Sequence, residues 1–334
     1  MVTQSGLGIA FTGIGSATPV NILSNQGLAH LVDTSDEWIA TRTGIRERHL
    51  ASPDESLCSL AARAGHQALA MAGIAATDLD LIILATSTPD DMFGSANQVQ
   101  VQLGAMQAVA FDLTAACSGF IFALVTASQF MRNGIYKNVL VIGADILSRW
   151  VNWSDRTTCI LFGDGAGAIV LQSANIDNLL SFEIRSDGAQ NSCLNLPYYG
   201  DAKNITPDIT ITQGIYKPIA MNGKEVYRFA VNRVPEIIDK VLYKADLKID
   251  NIDWLVLHQA NQRILEAVGD RLKLPYEKII SNLAHYGNTS AASIPIALDE
   301  SIRSGKIKSG DIIATAGFGA GLTWGGAILK WGKQ

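Results

Sequence analysis

Short apolar runs alternate along the chain with amphipathic stretches. Runs at 9–14, 81–85, 108–113, 139–143 and 168–171, and again at 254–257, 279–281, 312–316 and 326–329, are strand-sized and rich in Ile, Val, Leu and Ala. Runs of that length between turn residues read as strands buried on both faces. Between some of them, residues 57–71 and 120–131 carry apolar positions at helical spacing and are closed by Gly73 and Gly134. Glycine enters left-handed backbone at a helix end without steric cost. Strand and helix in alternation predict a layered α/β architecture.

The pattern also repeats itself. Ala72-Gly-Ile-Ala-Ala-Thr-Asp-Leu-Asp80 leads into Leu81-Ile-Ile-Leu84, and Ala245-Asp-Leu-Lys-Ile-Asp-Asn-Ile-Asp253 leads into Trp254-Leu-Val-Leu257. Met131-Arg-Asn-Gly134 and Ile302-Arg-Ser-Gly305 close two helical stretches at nearly the same separation. An offset of about 170 residues between similar βα units predicts a duplicated fold. The expected halves are 1–175 and 176–334, joined near 175–178. At the offset of the second pair Cys117 corresponds to Asn288, so these two residues are expected to approach one another between the halves.

Composition narrows the class. The chain has 334 residues, 48% of them hydrophobic and only 17% charged, against about 25% charged in an ordinary domain. A large core, a subunit interface or both must take up the difference, and disorder is excluded. A net charge of -5 argues against a surface made to grip nucleic acid. No Lys or Arg precedes Arg42, and the most apolar stretch, 117–131, is too short to span a bilayer. The expectation is a cytoplasmic protein without membrane insertion. Cysteines 58, 117, 159 and 193 form no CxxC pair and no metal-like spacing with the five histidines, so reduced thiols and no metal are expected.

Three residues stand where chemistry could sit. Cys117, in Ala115-Ala-Cys-Ser-Gly119, falls between a strand pattern and a helix pattern. At a helix N-terminus unsatisfied N–H groups favour a thiolate; a small buried core cysteine is the alternative. His258 ends the run 254–257, and sites in α/β sheets gather at the carboxyl ends of strands. Asn288, in Tyr286-Gly-Asn-Thr-Ser-Ala291, opens a helical stretch and reads equally as an N-cap. Together the three would suit thioester chemistry, with a thiolate exchanging for another thiolate and side-chain donors holding enolate charge. Gly13-Ile-Gly15 fails as a dinucleotide fingerprint because Thr18 and Pro19 follow. Gly163-Asp-Gly165-Ala-Gly167 reads as a structural turn. Gly317-Phe-Gly319-Ala320-Gly321 could bring backbone close to a bound carbonyl.

Five segments resemble the beta-ketoacyl-(acyl carrier protein) synthase III family. They are Asp36-Glu-Trp38-Ile-Ala-Thr-Arg42-Thr-Gly-Ile-Arg-Glu-Arg48, Ala115-Ala-Cys117-Ser-Gly119, His258-Gln-Ala-Asn261, Gly287-Asn288-Thr-Ser-Ala-Ala and Gly317-Phe-Gly-Ala-Gly-Leu-Thr-Trp-Gly325. The resemblance runs end to end in family order. It implies a thiolase-like, duplicated five-layer αβαβα fold in a homodimer, and condensation of a short acyl-CoA with malonyl-acyl carrier protein without a cofactor.

By the same resemblance Cys117, His258 and Asn288 are catalytic, and the backbone N–H groups of Cys117 and Ala320 hold the oxyanion. Trp38, Arg42, Arg156 and Asn261 bind CoA; Phe93, reaching into a partner subunit, and Phe318 shape the acyl pocket; Arg228, Arg263 and Arg271 receive the carrier protein. Lys224 stands where the family often has an asparagine. Hydroxymethylglutaryl-CoA synthases are opposed by the lack of any glutamate between Ser56 and Phe182, and degradative thiolases by the lack of a second cysteine motif. Plant-type polyketide synthases lack the segment from Trp38 to Arg48, and a papain-like protease does not fit the βα pattern.

Overall fold

The computed structural model of the protein describes residues 8–332. The first sheet contains β1 (Gly8–Ala17), β2 (Leu81–Ala85), β3 (Val109–Leu113), β4 (Asn138–Ile146) and β5 (Asp164–Ala174), in the order β1-β5-β4-β2-β3. The second contains β6 (Leu179–Ser186), β9 (Trp254–Leu257), β10 (Ile312–Gly319) and β11 (Thr323–Lys330), in the order β9-β10-β11-β6. An exposed hairpin of β7 (Tyr198–Thr206) and β8 (Ile209–Tyr216) stands apart.

Both sheets follow one plan. β1 and β6 occupy equivalent edges, each antiparallel to its neighbour, β5 or β11. Those strands run antiparallel to β4 and β10, which in turn run parallel to β2 and β9. β3 continues the first sheet in parallel, and in the second its place is taken by an isolated parallel bridge between Leu255 and Ile279. The strand expected at 279–281 is therefore one bridge long.

Side-chain alternation builds the layers, because successive strand residues point to opposite faces. Leu81, Ile83, Val139 and Val141 face the space between the sheets, while Ile82, Leu84, Leu140 and Ile142 face outwards. Helix α2 (Leu57–Ala72), with α3 (Ala96–Leu103) beside it, covers the outer face of the first sheet. Helices α5 (Gly223–Lys244) and α6 (Gln262–Leu272) cover that of the second. Between the sheets lie α4 (Gly119–Arg132) and α7 (Ser293–Arg303), which share one core with both. Five layers result. Each Leu or Ile buried in them contributes roughly 1.5–3 kcal/mol, which accounts for the low charged fraction. Helix α1 (Asp36–Thr43) packs against α6.

The central helices begin with equivalent turns. Residues Ala116–Ser118 precede α4 and Ser290–Ala292 precede α7 as single 3-10 turns, and the two turns touch. Ala116 and Ser290 hold matching left-handed backbone, φ 47 and 51. Cys117 thus corresponds to Ala291 and not to Asn288, whose counterpart is Thr114. The expected offset was three residues short because α4 is the longer helix, and the repeat had been set by helix ends.

Glycine lets the turns approach. A Cβ on Gly143 would lie 2.1 Å from the Ala291 carbonyl oxygen, and one on its β10 counterpart Gly317 would lie 3.1 Å from Ser118 Cα. Gly165 and Gly167, read from sequence as a turn, lie within β5 and give α7 room at Ile296 and Pro295. The stretch 194–216 holds the β7–β8 hairpin. Gly143→Ala is expected to cost about 3 kcal/mol, the upper end of overpacking penalties, read as a lowered urea midpoint; an unchanged midpoint would contradict this packing account.

Candidate active site

Cys117, His258 and Asn288 line one cavity of about 440 Å³ at the end of the molecule where the central turns meet. Arg42, Asn261 and Arg263 also line it, and its apolar wall includes Leu194, Met221, Phe229, Phe318 and Leu322. Cys117 is 8% exposed and sits in the 3-10 turn just before α4. Burial pushes its thiol up to about 12; the Ser290 hydroxyl pulls it back and the Asp145 charge adds to the rise. The helix start is where the sequence placed it, but desolvation outweighs it and the resting group is a thiol. A Cβ on Gly319 would lie 2.7 Å from the Cys117 nitrogen, so β10 backbone passes directly against the Cys117 N–H. Ala320 follows in the turn beyond β10.

His258 follows the last residue of β9, is 1% exposed, and donates its backbone N–H to the Ala316 carbonyl of β10 at 2.9 Å. Its ring stands edge-on to Phe318 at 5.1 Å. Nδ1 lies 2.7 Å from Ser293 Oγ, which also accepts the Gln259 N–H at 3.3 Å. The Ser293 hydroxyl hydrogen is able to turn to Nδ1, and in that tautomer the ring proton is on Nε2. Burial pushes the imidazole down to about 3, so it is a neutral donor.

Asn288 is fixed by backbone on both sides. It donates its N–H to the Leu161 carbonyl at 2.8 Å and accepts the Gly163 N–H at 3.0 Å, while its Oδ1 accepts the Ser290 N–H at 2.9 Å. Oδ1 being taken, its Nδ2 amide is the part left for a ligand. The strut that holds it depends on Arg48, fully buried, whose guanidinium donates to the carbonyls of Ile160 and Leu23 and to Asn25 Oδ1. Burial lowers that guanidinium to about 10, and no carboxylate pairs with it among the described residues.

The other residues singled out from sequence divide. Arg42 and Arg156 both lie over the Trp38 indole, at 4.3 and 4.7 Å, and Arg156 also bonds the Asp33 carbonyl. Asn261 caps α6, accepting the Arg263 N–H, and reaches the Arg42 carbonyl. Arg263, at the cavity, makes no ion pair among the described residues. Arg228 pairs with Glu225 on its own helix. Arg271 bonds Val231 O and Asn232 Oδ1, bracing α6 on α5. Phe93 is fully exposed and does not line this cavity. Ser290, Ser293, Arg48 and Asp145 were missed. Asp145 had a signal, as a lone carboxylate inside the apolar stretch 138–146; the serines looked like ordinary helix-start residues.

Two sheets of one plan, with a cysteine, a histidine and an asparagine on one internal cavity, define a condensing enzyme of thiolase fold. A model of 3-oxoacyl-(acyl-carrier-protein) synthase III matches residues 111–188, and that of its C-terminal part matches 242–331. Proteins named beta-ketoacyl-(acyl-carrier-protein) synthase III from Trichormus variabilis and Acaryochloris marina are 68% and 64% identical. The alignments cover 99% and 98% of this chain and 100% and 99% of those. The crystal structure of 3-oxoacyl-(acyl-carrier-protein) synthase III from Aquifex aeolicus superposes with a TM-score of 0.89 at 44% identity, covering 97% of this chain and 100% of that one. The priming beta-ketosynthase of the R1128 polyketide pathway superposes at 0.91 with 32% identity, covering 100% and 99%. The chain belongs to the beta-ketoacyl-(acyl-carrier-protein) synthase III family and is an acyltransferase.

A histidine held below its ordinary value destabilises the fold as pH drops. The unfolded chain binds the proton near 6.5 while the folded one refuses it until about 3, so this contribution is whole above 6.5 and is lost as pH falls towards 3. His258→Gln should flatten the fall in stability between these values by about 1.4 kcal/mol per pH unit, read from urea midpoints at stepped pH. Parallel curves for parent and variant would contradict a buried neutral imidazole.

Proposed function

We propose that this enzyme starts fatty acid synthesis by joining a short acyl-CoA, best read as acetyl-CoA, to malonyl-acyl carrier protein in a ping-pong cycle. The observation that carries the reading is the single cavity bounded by Cys117, His258 and Asn288 with cations at its mouth. Cys117 sulfur attacks the acyl-CoA carbonyl, the oxyanion is held by the N–H groups of Cys117 and Ala320, and CoA departs to leave an acyl-cysteine. Malonyl-carrier protein follows. His258 Nε2–H and Asn288 Nδ2–H donate to its thioester oxygen, CO2 leaves, and the enolate attacks the acyl-cysteine to give 3-oxoacyl-carrier protein. Neutral donors suit this step, since they stabilise the enolate without protonating it.

No metal, flavin or nicotinamide enters the cycle. Trp38 stacks the adenine once its contacts with Arg42 and Arg156 open, and those guanidiniums pair with phosphate; Asn261 lies on the same path. Of the three carrier-protein arginines, Arg263 is the strongest, lining the cavity with no ion pair among the described residues, with Arg228 and Arg271 contributing less. Phe318 walls the acyl pocket. The cavity must hold a thioester arm as well as the acyl group, which supports a short starter.

The enzyme acts as a homodimer in the cytoplasm. β3 is the free edge of the first sheet, and Val109 on it lies near exposed Met92, Phe93, Val101 and Met106 in sequence. An apolar edge of that kind suits pairing with a second copy, which would carry Phe93 to the partner's pocket. All four cysteines are free thiols, in keeping with a reducing compartment. The halves 1–175 and 176–334 serve as one catalytic unit, the first giving the thiol and the second the histidine and asparagine. Priming of a polyketide pathway is a second reading, favoured by the likeness to the R1128 ketosynthase.

Cys117→Ser should abolish acyl-enzyme formation from acetyl-CoA in intact-protein mass spectra; an acyl group on another cysteine would overturn the assignment. His258→Ala and Asn288→Ala should each still become acylated but lose about 100-fold or more in CO2 release, as for loss of one oxyanion donor. Parental CO2 release in either would refute the division of labour.

A further inference from the structure

The thiol that takes the acyl group is protonated at rest, and in the reading above His258 serves the malonyl step. The fold supplies another route for the thiol proton. Ser290, 2% exposed, stands in the turn that touches the Cys117 turn, and its side chain reaches both the Cys117 thiol and the Asp145 carboxylate. Its N–H is already given to Asn288, so the hydroxyl is the free group.

Asp145 is fully buried on β4, where its Oδ1 accepts the Ser87 N–H at 2.8 Å and the hydroxyls of Thr88 and Thr86 at 2.9 and 3.2 Å. Among the described residues Oδ2 accepts only a long bond from the Ala291 N–H, 3.3 Å, which leaves it the oxygen with capacity to spare. Among the described residues Asp145 makes no ion pair. Burial raises its carboxyl above the ordinary range, which suits a group that takes up a proton.

Comparison of the two halves argues that this is no accident of packing. By strand register Asp145 of β4 corresponds to Gly319 of β10, and Ser290 corresponds to Ala116. The same cradle is thus built twice. Gly319 leaves the Cys117 N–H open, while Asp145 fills the matching place and takes the Ala291 N–H. Ala116 offers no hydroxyl, whereas Ser290 brings one within hydrogen-bonding reach of the thiol.

We propose that Ser290 is a catalytic residue of the acylation step, passing the Cys117 proton towards Asp145, which acts through it as a positioning residue. As sulfur bonds to the acyl carbon, the S–H bond breaks and its proton goes to Ser290 Oγ, whose own hydrogen moves to Asp145 Oδ2. When the tetrahedral adduct collapses, the departing CoA thiolate takes a proton back through the same path. The sum is acyl-CoA plus thiol giving acyl-cysteine plus CoA-SH, with Asp145 ionised again.

The inference rests on Cys117 as the acyl acceptor, and the test separates the two. Acylation of parent, His258→Ala, Ser290→Ala, Asp145→Asn and the Ser290/Asp145 double variant is timed by quenched-flow mass spectrometry with acetyl-CoA. CO2 release from malonyl-carrier protein is then measured on enzyme acylated to completion. An acyl group on a different residue of the parent sinks the earlier reading. With Cys117 as acceptor, Ser290→Ala should acylate about 100-fold more slowly, within the range of general acid–base contributions. Half-saturation by acetyl-CoA and CO2 release should be unchanged, and His258→Ala should acylate normally. The double variant should be no slower than the slower single one, as for residues acting as a unit. Parental acylation by Ser290→Ala would overturn the proposal. So would equal losses in acylation and CO2 release, the mark of a displaced Asn288 turn.

Discussion

Two three-residue turns pressed together between the sheets are the constraint on which this site depends. Each starts a central helix, each needs one left-handed residue, and each is admitted by a glycine on the facing strand, Gly143 or Gly317. One turn presents Cys117 and the other anchors Asn288 through the Ser290 N–H. Because the turns belong to different sheets, the chemistry exists only when both halves have packed. The buried layers between and outside the sheets are the source of the rigidity that holds these groups in register.

Burial then sets the electrostatics. A thiol pushed up to about 12 and an imidazole pushed down to about 3 make a site whose main groups are uncharged at neutral pH. That differs from the thiolate–imidazolium pair of many cysteine enzymes, and it fits chemistry in which the charge arrives with the substrate and must be met by fixed donors. The other ionisable groups lie at the rim or beneath the floor. Arg42 and Arg263 line the mouth, Asp145 lies under the turns, and Arg48 braces the strut behind Asn288.

Much of this was legible in the residues. Apolar runs at 81–85 and 254–257 coincide with strands to the residue, because strands buried on both faces must be apolar throughout. β6 escaped notice since its far end carries Glu183 and Arg185, and the β7–β8 hairpin because it is exposed along its length and has no buried face to impose alternation. Cys117, His258 and Asn288 were found by address and resemblance. Their partners were not, since Ser293, Ser290 and Asp145 meet the site through contacts across 35, 173 and 146 residues, which no local pattern encodes. The repeat was visible, yet its register was off by three because helix ends drift while the turns at helix starts do not.

In the proposed cycle one cavity carries an acyl group from CoA to Cys117 and on to a malonyl-derived carbanion. The most direct measurement is a pulse-chase followed by mass spectrometry of the peptide that contains Cys117. Enzyme is charged with labelled acetyl-CoA, freed of excess, and chased with malonyl-acyl carrier protein. The label should appear on Cys117 in the pulse and pass in full to 3-oxoacyl-carrier protein in the chase, with one CO2 released for each label transferred. Label that stays on Cys117 while labelled product fails to form, or product whose label never passed through Cys117, would contradict it.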